Sequence, residues 1–274
     1  MKEDRAKKLA DDALSKLQAQ LEAGHSEALK AFVECLSRFH QYSWMNCVLI
    51  ASQNPDATQV AGFRKWLELK RYVRKGEKGI AILAPMTYRK KVKTDDGDEE
   101  TKTGVRGFKL VHVFDVTQTE GEDLPELTPI RGEPGELLDG LEKLVRDSGI
   151  ELRYDVLPLG TKGLSEKGSV TIAEGLDAAE RFAVLAHELA HEWLHDGERR
   201  QETTKTIRET EAEAVSYAVC QSFGLDCSTR SSDYIQLYQG DVEVLGQSLA
   251  LIQKTAAKII DELSSVKDDE EVAA

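Results

Sequence analysis

Residues 182–194 read Phe182-Ala183-Val184-Leu185-Ala186-His187-Glu188-Leu189-Ala190-His191-Glu192-Trp193-Leu194, and this stretch decides what the second half of the chain is. Phe182, Val184, Leu185, Ala186, Leu189 and Ala190 make a helix apolar enough to be buried. Embedded in it, His187-Glu188-Leu189-Ala190-His191 has the form H-E-x-x-H. Residues four apart on an α-helix project from one face, so His187 and His191 can bind one Zn²⁺ or another divalent ion such as Mn²⁺. Glu188, next in line, is too close in sequence to be an easy third ligand. It is well placed to take a proton from an attacking water, the general-base role. A buried His-Glu-His set needs something to satisfy it; the alternative is a helix whose histidines make only hydrogen bonds.

Working downstream, the third ligand should be a carboxylate on a following helix, expected over about Ile207 to Phe223. Arg208-Glu209-Thr210-Glu211-Ala212-Glu213-Ala214 offers three. Glu209 and Glu213 share a face at i, i+4, and Glu211 points nearly opposite. Glu209 is the expected ligand and Glu213 the residue that braces a metal-bound histidine; Glu211 as ligand is the alternative. His195 lies four after His191 with no intervening glycine to turn it off the helix, so it reads as an outer support or a surface residue. Upstream, Asp177 caps the motif helix, Ser169 to Ala173 reads as a strand and Leu137 to Ser148 as a helix. A last helix with apolar residues at Leu245, Leu249, Ile252, Ala256 and Ile259-Ile260 is expected to end before the charged tail 265–274.

The first half has a different chemistry. The 274-residue chain carries 36 basic and 49 acidic side chains, a net −13. Yet between residues 61 and 93 eleven cations face only Glu68 and Glu77. Such a local positive field in an anionic protein points to a polyanion at one place. Rings interleave the cations: Phe63, Trp66 and Tyr72, with Phe39, Tyr42 and Trp44 just upstream. Single-strand binders combine cations for phosphates with rings on which bases stack; core rings beside a solvated basic face are the alternative. Helices are expected over 1–52, with Gly24 as a stop and a break near Tyr42-Ser43, and over Phe63 to Leu69. Strands at Ile80 to Ala84 and Phe108 to Phe114 flank a polar turn at 93–100. Three prolines and three glycines in Gln118 to Glu136 mark a linker.

No apolar run approaches the roughly 18 residues of a membrane span, and the charged N-terminus lacks the apolar core of a signal peptide. Four cysteines (35, 47, 220 and 227) form no C-x-x-C pair, so reduced thiols in a soluble, cytoplasmic protein are expected.

Two resemblances sharpen these expectations. His187 to His195 followed by Glu209-Thr210-Glu211-Ala212-Glu213 resembles the ImmA/IrrE-type metallopeptidase domains of the zincin class, over roughly residues 137–264. The resemblance implies that the strand Ser169 to Ala173 runs along the cleft and pairs with an extended peptide. Tyr42-Ser43-Trp44-Met45-Asn46, Leu49-Ile50, Gln53-Asn54-Pro55, Gly62-Phe63, Trp66 and Val73-Arg74-Lys75-Gly76-Glu77-Lys78-Gly79-Ile80 resemble the N-terminal domain of ArdC antirestriction proteins, a domain that binds single-stranded DNA. The expected fold is α+β: a DNA-binding domain at 1–117, a linker at 118–136, and a mainly helical zincin-like domain at 137–264. Expected DNA contacts are Tyr42, Trp44, Asn46, Arg64, Lys65, Trp66, Lys70, Arg71, Arg74, Lys75 and Lys78. The implied function is a mobile element's antirestriction protein that coats single-stranded DNA. The alternatives are a metalloprotease that cleaves a regulatory protein, recruited by its N-terminal module, and a metal-stabilised scaffold without turnover.

Overall fold

The computed structural model describes residues 2–23, 27–93, 99–122, 134–195, 197–225 and 242–273, and its fold is α+β. Contacts divide the chain into two units, Met1–Lys16 with Met45–Leu124 and Leu17–Trp44 with Pro125–Ala274. The first helices are α1 (Lys2–Glu22), α2 (Glu27–Arg38) and α3 (Trp44–Gln53); Gly24 and Cys227 lie outside the described residues. The buried stripe of α1 falls on Ala6, Ala10, Leu17 and Leu21, which follows helical spacing.

In the first unit, β1 (Val60–Gly62), α4 (Phe63–Glu68) and β2 (Arg71–Val73) precede a long hairpin, β3 (Ile80–Lys93) and β4 (Glu99–Asp115). The sheet order is β1-β4-β3, antiparallel throughout. One face is core, with Ile80 and Ile82 on β3 and Val113 on β4 all at most 5% exposed. The outer edge of β3 is covered by side-chain amides from α3. Asn46 donates to Leu83 O at 3.0 Å and accepts from Leu83 N at 2.9 Å; Gln53 does the same for Ala81 at 2.9 and 3.0 Å. Each amide imitates a neighbouring strand and blunts an edge that would otherwise invite pairing.

After β4 come a 3₁₀ turn (Val116–Gln118) and β5 (Thr119–Gly121), which pairs with β2. The expected linker therefore starts too early, because Gln118 and residues 119–121 are built into the first unit. Gly121 has φ +138 and lies against the Lys70 carbonyl where a Cβ would collide, so only glycine fits.

Asp115 is the polar keystone of this corner. Its fully buried carboxylate accepts from Thr58 N (2.8 Å), Gln59 N (3.1 Å), Thr117 N (2.9 Å) and Thr117 Oγ1 (2.6 Å). Burial alone would raise its pKa, but these four donors more than offset that and lower it. A carboxyl more acidic in the folded than in the unfolded chain stabilises above its unfolded value of about 3.9, and that contribution is lost as pH falls through the folded value. Asp115→Ala leaves buried N–H groups unpaired, so urea unfolding of the first unit should show a loss of about 3 kcal/mol. The difference from the parent protein should shrink towards acid pH.

The second unit contains α5 (Pro134–Asp147), β6 (Glu151–Asp155), β7 (Gly163–Glu166), β8 (Ser169–Ala173), α6 (Ala178–Leu194), α7 (Gly197–Glu202), α8 (Lys205–Ser222) and α9 (Val242–Ala273). The sheet order is β6-β8-β7, with β6 parallel and β7 antiparallel to β8. Val170 and Ile172 on β8 are fully buried, as are Phe182, Leu185 and Leu189 on α6 and Val215 and Val219 on α8. Pro134 opens α5, where a missing N–H costs nothing, so the linker also ends earlier than 136.

Contacts group α2, with its buried Leu29, Phe32, Val33 and Leu36, with the second unit, although it precedes the expected boundary near 117. There Tyr217 Oη on α8 donates to Glu34 Oε1 at 3.1 Å. The last helix does not stop before the charged tail: α9 continues to Ala273, since Lys, Glu and Asp carry no penalty on the scale of Gly or Pro.

Candidate functional site

Asp177 caps α6 by accepting from Glu180 N at 2.7 Å, and Thr204 caps α8 by accepting from Ile207 N at 3.2 Å. These caps satisfy orphan N–H groups and fix where each helix starts. Ser216 Oγ donates to Ala183 O at 2.8 Å, tying α8 to α6. Fully buried Ala186 and Ala190 on α6 and Ala212 on α8 keep side-chain bulk out of the way, so the carboxylates of one helix reach the imidazoles of the other.

The two Nε2 atoms of His187 and His191 lie 3.0 Å apart, and Glu209 Oε2 is 3.6 Å from each. Ligands around a tetrahedral Zn²⁺ at bond lengths near 2.0–2.1 Å stand about 3.3 Å from one another, so the triangle is metal-sized. The outer nitrogens are already engaged. His187 Nδ1 meets Glu213 Oε2 at 3.2 Å. His191 Nδ1 meets His195 Nδ1 at 2.9 Å, and His195 Nε2 meets Glu211 Oε2 at 2.8 Å. Because Glu213 and Glu211 only accept, the protons sit on His187 Nδ1 and His195 Nε2, and His195 Nδ1 accepts from His191 Nδ1–H. Both facing Nε2 atoms then carry lone pairs, an arrangement that calls for a cation between them. A proton serves when nothing else does: burial would lower His187, but Glu209 and Glu213 beside it and the charge of Glu188 raise its pKa to about 9. When a proton takes that place, His187 and His191 beside Glu209 hold its carboxyl well below the usual carboxylate range.

The three acids of α8 thus divide. Glu209 faces both imidazoles and Glu213 braces His187. Glu211 is wholly buried and is paired with His195 and with Arg199 of α7. Sequence left His195 between support and surface; its side chain is sealed in, 1% exposed.

Glu188 lies beside this cluster in a cleft of about 520 Å³. Burial pushes its carboxyl up, with Glu209 and Glu192 adding to the rise and the imidazoles opposing it. Over it passes Gly163 on β7, where a Cβ would strike the Glu188 carboxylate and come within 2.6 Å of Val184. Glu192, one turn on, accepts from Ser165 Oγ and from Gly168 N (2.8 Å) and anchors the β7–β8 turn to α6. The strand expected to receive a peptide, Ser169 to Ala173, is central and has both edges paired. Among the described residues the unpaired edge beside the cleft is that of β7, whose Gly163 lines it.

The basic window is less uniform than its sequence. Trp66 is 2% exposed and its indole donates to Phe114 O at 2.9 Å; Asn46 is committed to the β3 edge. Both are structural and are withdrawn from the expected DNA contacts. Arg71 clamps β5 through Thr119 Oγ1 (2.8 Å) and Glu122 O, and Arg74 bonds Thr117 O and Glu77. Lys65 pairs with Glu68 and Lys70 with Glu122, all four exposed. Arg64, Lys75 and Lys78 are exposed and make no ion pair among the described residues. Tyr42, half-buried with its ring edge-on to Phe39, and half-buried Trp44 fall in the stretch grouped with the second unit. Exposed rings that the expected contacts omitted are Phe63, Tyr72, Tyr88 and Phe108.

Comparison with known proteins finds two families in turn along the chain. Residues 4–114 match the N-terminal domain of the anti-restriction factor ArdC, and residues 146–220 match the IrrE N-terminal-like domain. An uncharacterised protein of Bacillus anthracis is 26% identical over 82% of this chain, which spans 46% of that relative. Two crystal structures of the antirestriction ArdC protein from the R388 plasmid share the fold. The metal-free one has 21% identity and a TM-score of 0.58, the Mn(II)-bound one 20% and 0.53; each pairing covers 93% of this chain and 97% of the other.

Proposed function

Because this chain has an ArdC-like architecture, an ArdC-type N-terminal domain followed by an IrrE N-terminal-like domain, we propose that it is an antirestriction-type protein. Its first unit binds single-stranded DNA without regard to sequence, and its second is a metal-dependent peptidase centre. The observation that carries the metal half is the pair of lone-pair-bearing Nε2 atoms 3.0 Å apart with Glu209 closing the triangle. His187, His191 and Glu209 would hold Zn²⁺ or Mn²⁺, with Glu213 and His195 fixing the ring orientations. A divalent ion there would supply Lewis-acid polarisation of a scissile carbonyl.

The chain's own groups do the rest. The free edge of β7 receives an extended peptide by strand addition, which places a carbonyl over the cleft. Glu188 takes the proton of the attacking water at its carboxylate and passes it to the leaving amine. Gly163 keeps the strand close to Glu188 without a side chain between them.

The DNA half rests on the exposed cations and rings of the first unit. Binding of a labelled oligothymidylate should weaken steeply with salt, with a slope near −0.7 per phosphate contact. Affinity that is absent, or flat with ionic strength, removes DNA binding from the function.

A further inference from the structure

In the cation-rich segment 64–78 Arg71 and Arg74 are spent on hydrogen bonds within the fold and Trp66 is buried, which leaves Tyr72 as its one exposed ring. The face of the hairpin turned away from Ile80, Ile82 and Val113 carries a row of rings. Along β4 the odd-numbered Val113 and Asp115 turn into the core. The even-numbered residues Phe108, Leu110, His112 and Phe114 share the other face, where Phe108 is 49% exposed and His112 is also exposed. Phe63, 51% exposed, continues the row with its ring centroid 6.5 Å from that of Phe114. Alternate residues of a strand stand about 6.8 Å apart, twice the roughly 3.4 Å per nucleotide of a stacked strand. A single strand pulled out to that step has its bases unstacked and able to seat on separate rings.

Charge complements the row on both sides. A cleft of about 510 Å³ opens between α1 and the hairpin, floored by Leu9, Ala81 and Leu110 beside His112. Its cations are Arg5, Lys8 and Lys109, against one carboxylate, Asp12. At the other end exposed Lys78 precedes Gly79, where a Cβ would come within 2.9 Å of His112 Cβ and 3.1 Å of the Phe114 ring. The glycine lets the chain that carries Lys78 lie directly against the row.

We infer that the Phe108–His112–Phe114–Phe63 face of the first unit is the platform on which the bases of single-stranded DNA stack, with Arg5, Lys8 and Lys109 tracking the phosphates. The inference rests on the DNA-binding function proposed above and assigns it a place. The ring spacing, the exposure and the flanking cations favour a nucleic acid over a protein segment, which would want an apolar groove without the excess positive charge.

The test uses the whole chain and a labelled oligothymidylate. Phe108→Ala and His112→Ala should each weaken binding about five- to hundredfold, the range of one lost base stack, with the salt slope unchanged. Lys8→Gln and Lys109→Gln should each reduce the slope by about 0.7 and leave stacking intact. Far-ultraviolet circular dichroism checks that each variant is folded. Photo-cross-linking of an iododeoxyuridine oligonucleotide to the unmutated protein gives a readout independent of any variant, with adducts expected on Phe108, His112 or Phe63. If the parent binds DNA but the ring variants bind equally well and adducts map to 64–78, the platform is overturned while DNA binding stands. If the parent does not bind at all, both fall.

Discussion

Glu209→Ala should emerge from purification without its divalent ion. In the parent protein Glu209 Oε2 sits 3.6 Å from each of two imidazole nitrogens; without it, two neutral rings must hold a dication in a half-open cleft. Removing outer partners of a metal site usually costs 10–100-fold in affinity, so losing a direct ligand should exceed the upper end of that range. Titration calorimetry with Zn²⁺ and Mn²⁺, backed by elemental analysis, measures it. Glu213→Ala and His195→Phe should fall within the 10–100-fold band, because each removes only the acceptor that fixes an imidazole's proton. Glu211→Leu should resemble His195→Phe, since Glu211 reaches the metal cluster through His195 alone. A Glu209→Ala protein that retains one equivalent of metal would show that the triangle is not the site.

The arrangement of the second unit's histidines and acids was legible because it is local. H-E-x-x-H needs only the 3.6-residue turn, Asp177 announces its helix, and the i, i+4 pairing of Glu209 with Glu213 separates them from Glu211 on periodicity alone. What the sequence hid was non-local. Strands β6 and β7 are short, half-exposed and charged, so Glu151-Leu152-Arg153-Tyr154-Asp155 and Gly163-Leu164-Ser165-Glu166 carry no apolar run to reveal them. The assignment of the cleft to β7 rather than β8 depends on sheet order, which no strand encodes by itself. Helix α2 shows its apolar face in sequence but not which unit that face meets.

In the first unit the errors concern direction. Trp66 and Phe63 are three apart on one short helix, yet one is core and the other solvent-facing, and cation density said nothing about which guanidinium would be spent on a carbonyl. The better signal was period two in Phe108-Lys109-Leu110-Val111-His112-Val113-Phe114: valines on one face, rings on the other. A strand that is aromatic on its outward side has no packing reason to be so.

Glu188→Gln is the substitution that separates chemistry from scaffolding. Glutamine keeps the size of the side chain under Gly163, is not among the three ligands, and cannot take a proton. Metal content should therefore match the parent, while any peptide hydrolysis should drop by 10²–10⁴, the usual weight of a general base. Gly163→Ala should approach the same loss by another route, because the new Cβ must displace the Glu188 carboxylate or lift β7 off the cleft. Cleavage of a peptide library, followed by mass spectrometry, measures both. Equal cleavage by the parent and Glu188→Gln would remove Glu188 from the reaction. No cleavage by a metal-loaded parent, with DNA protection intact, would identify the centre as a scaffold. Protection that survives Glu188→Gln would place it in the first unit, whereas protection lost with hydrolysis would make a cleaved protein the target. That last pairing follows from the structure: Glu188 belongs to the second unit, so DNA affinity measured on Glu188→Gln should equal that of the parent whichever way protection goes.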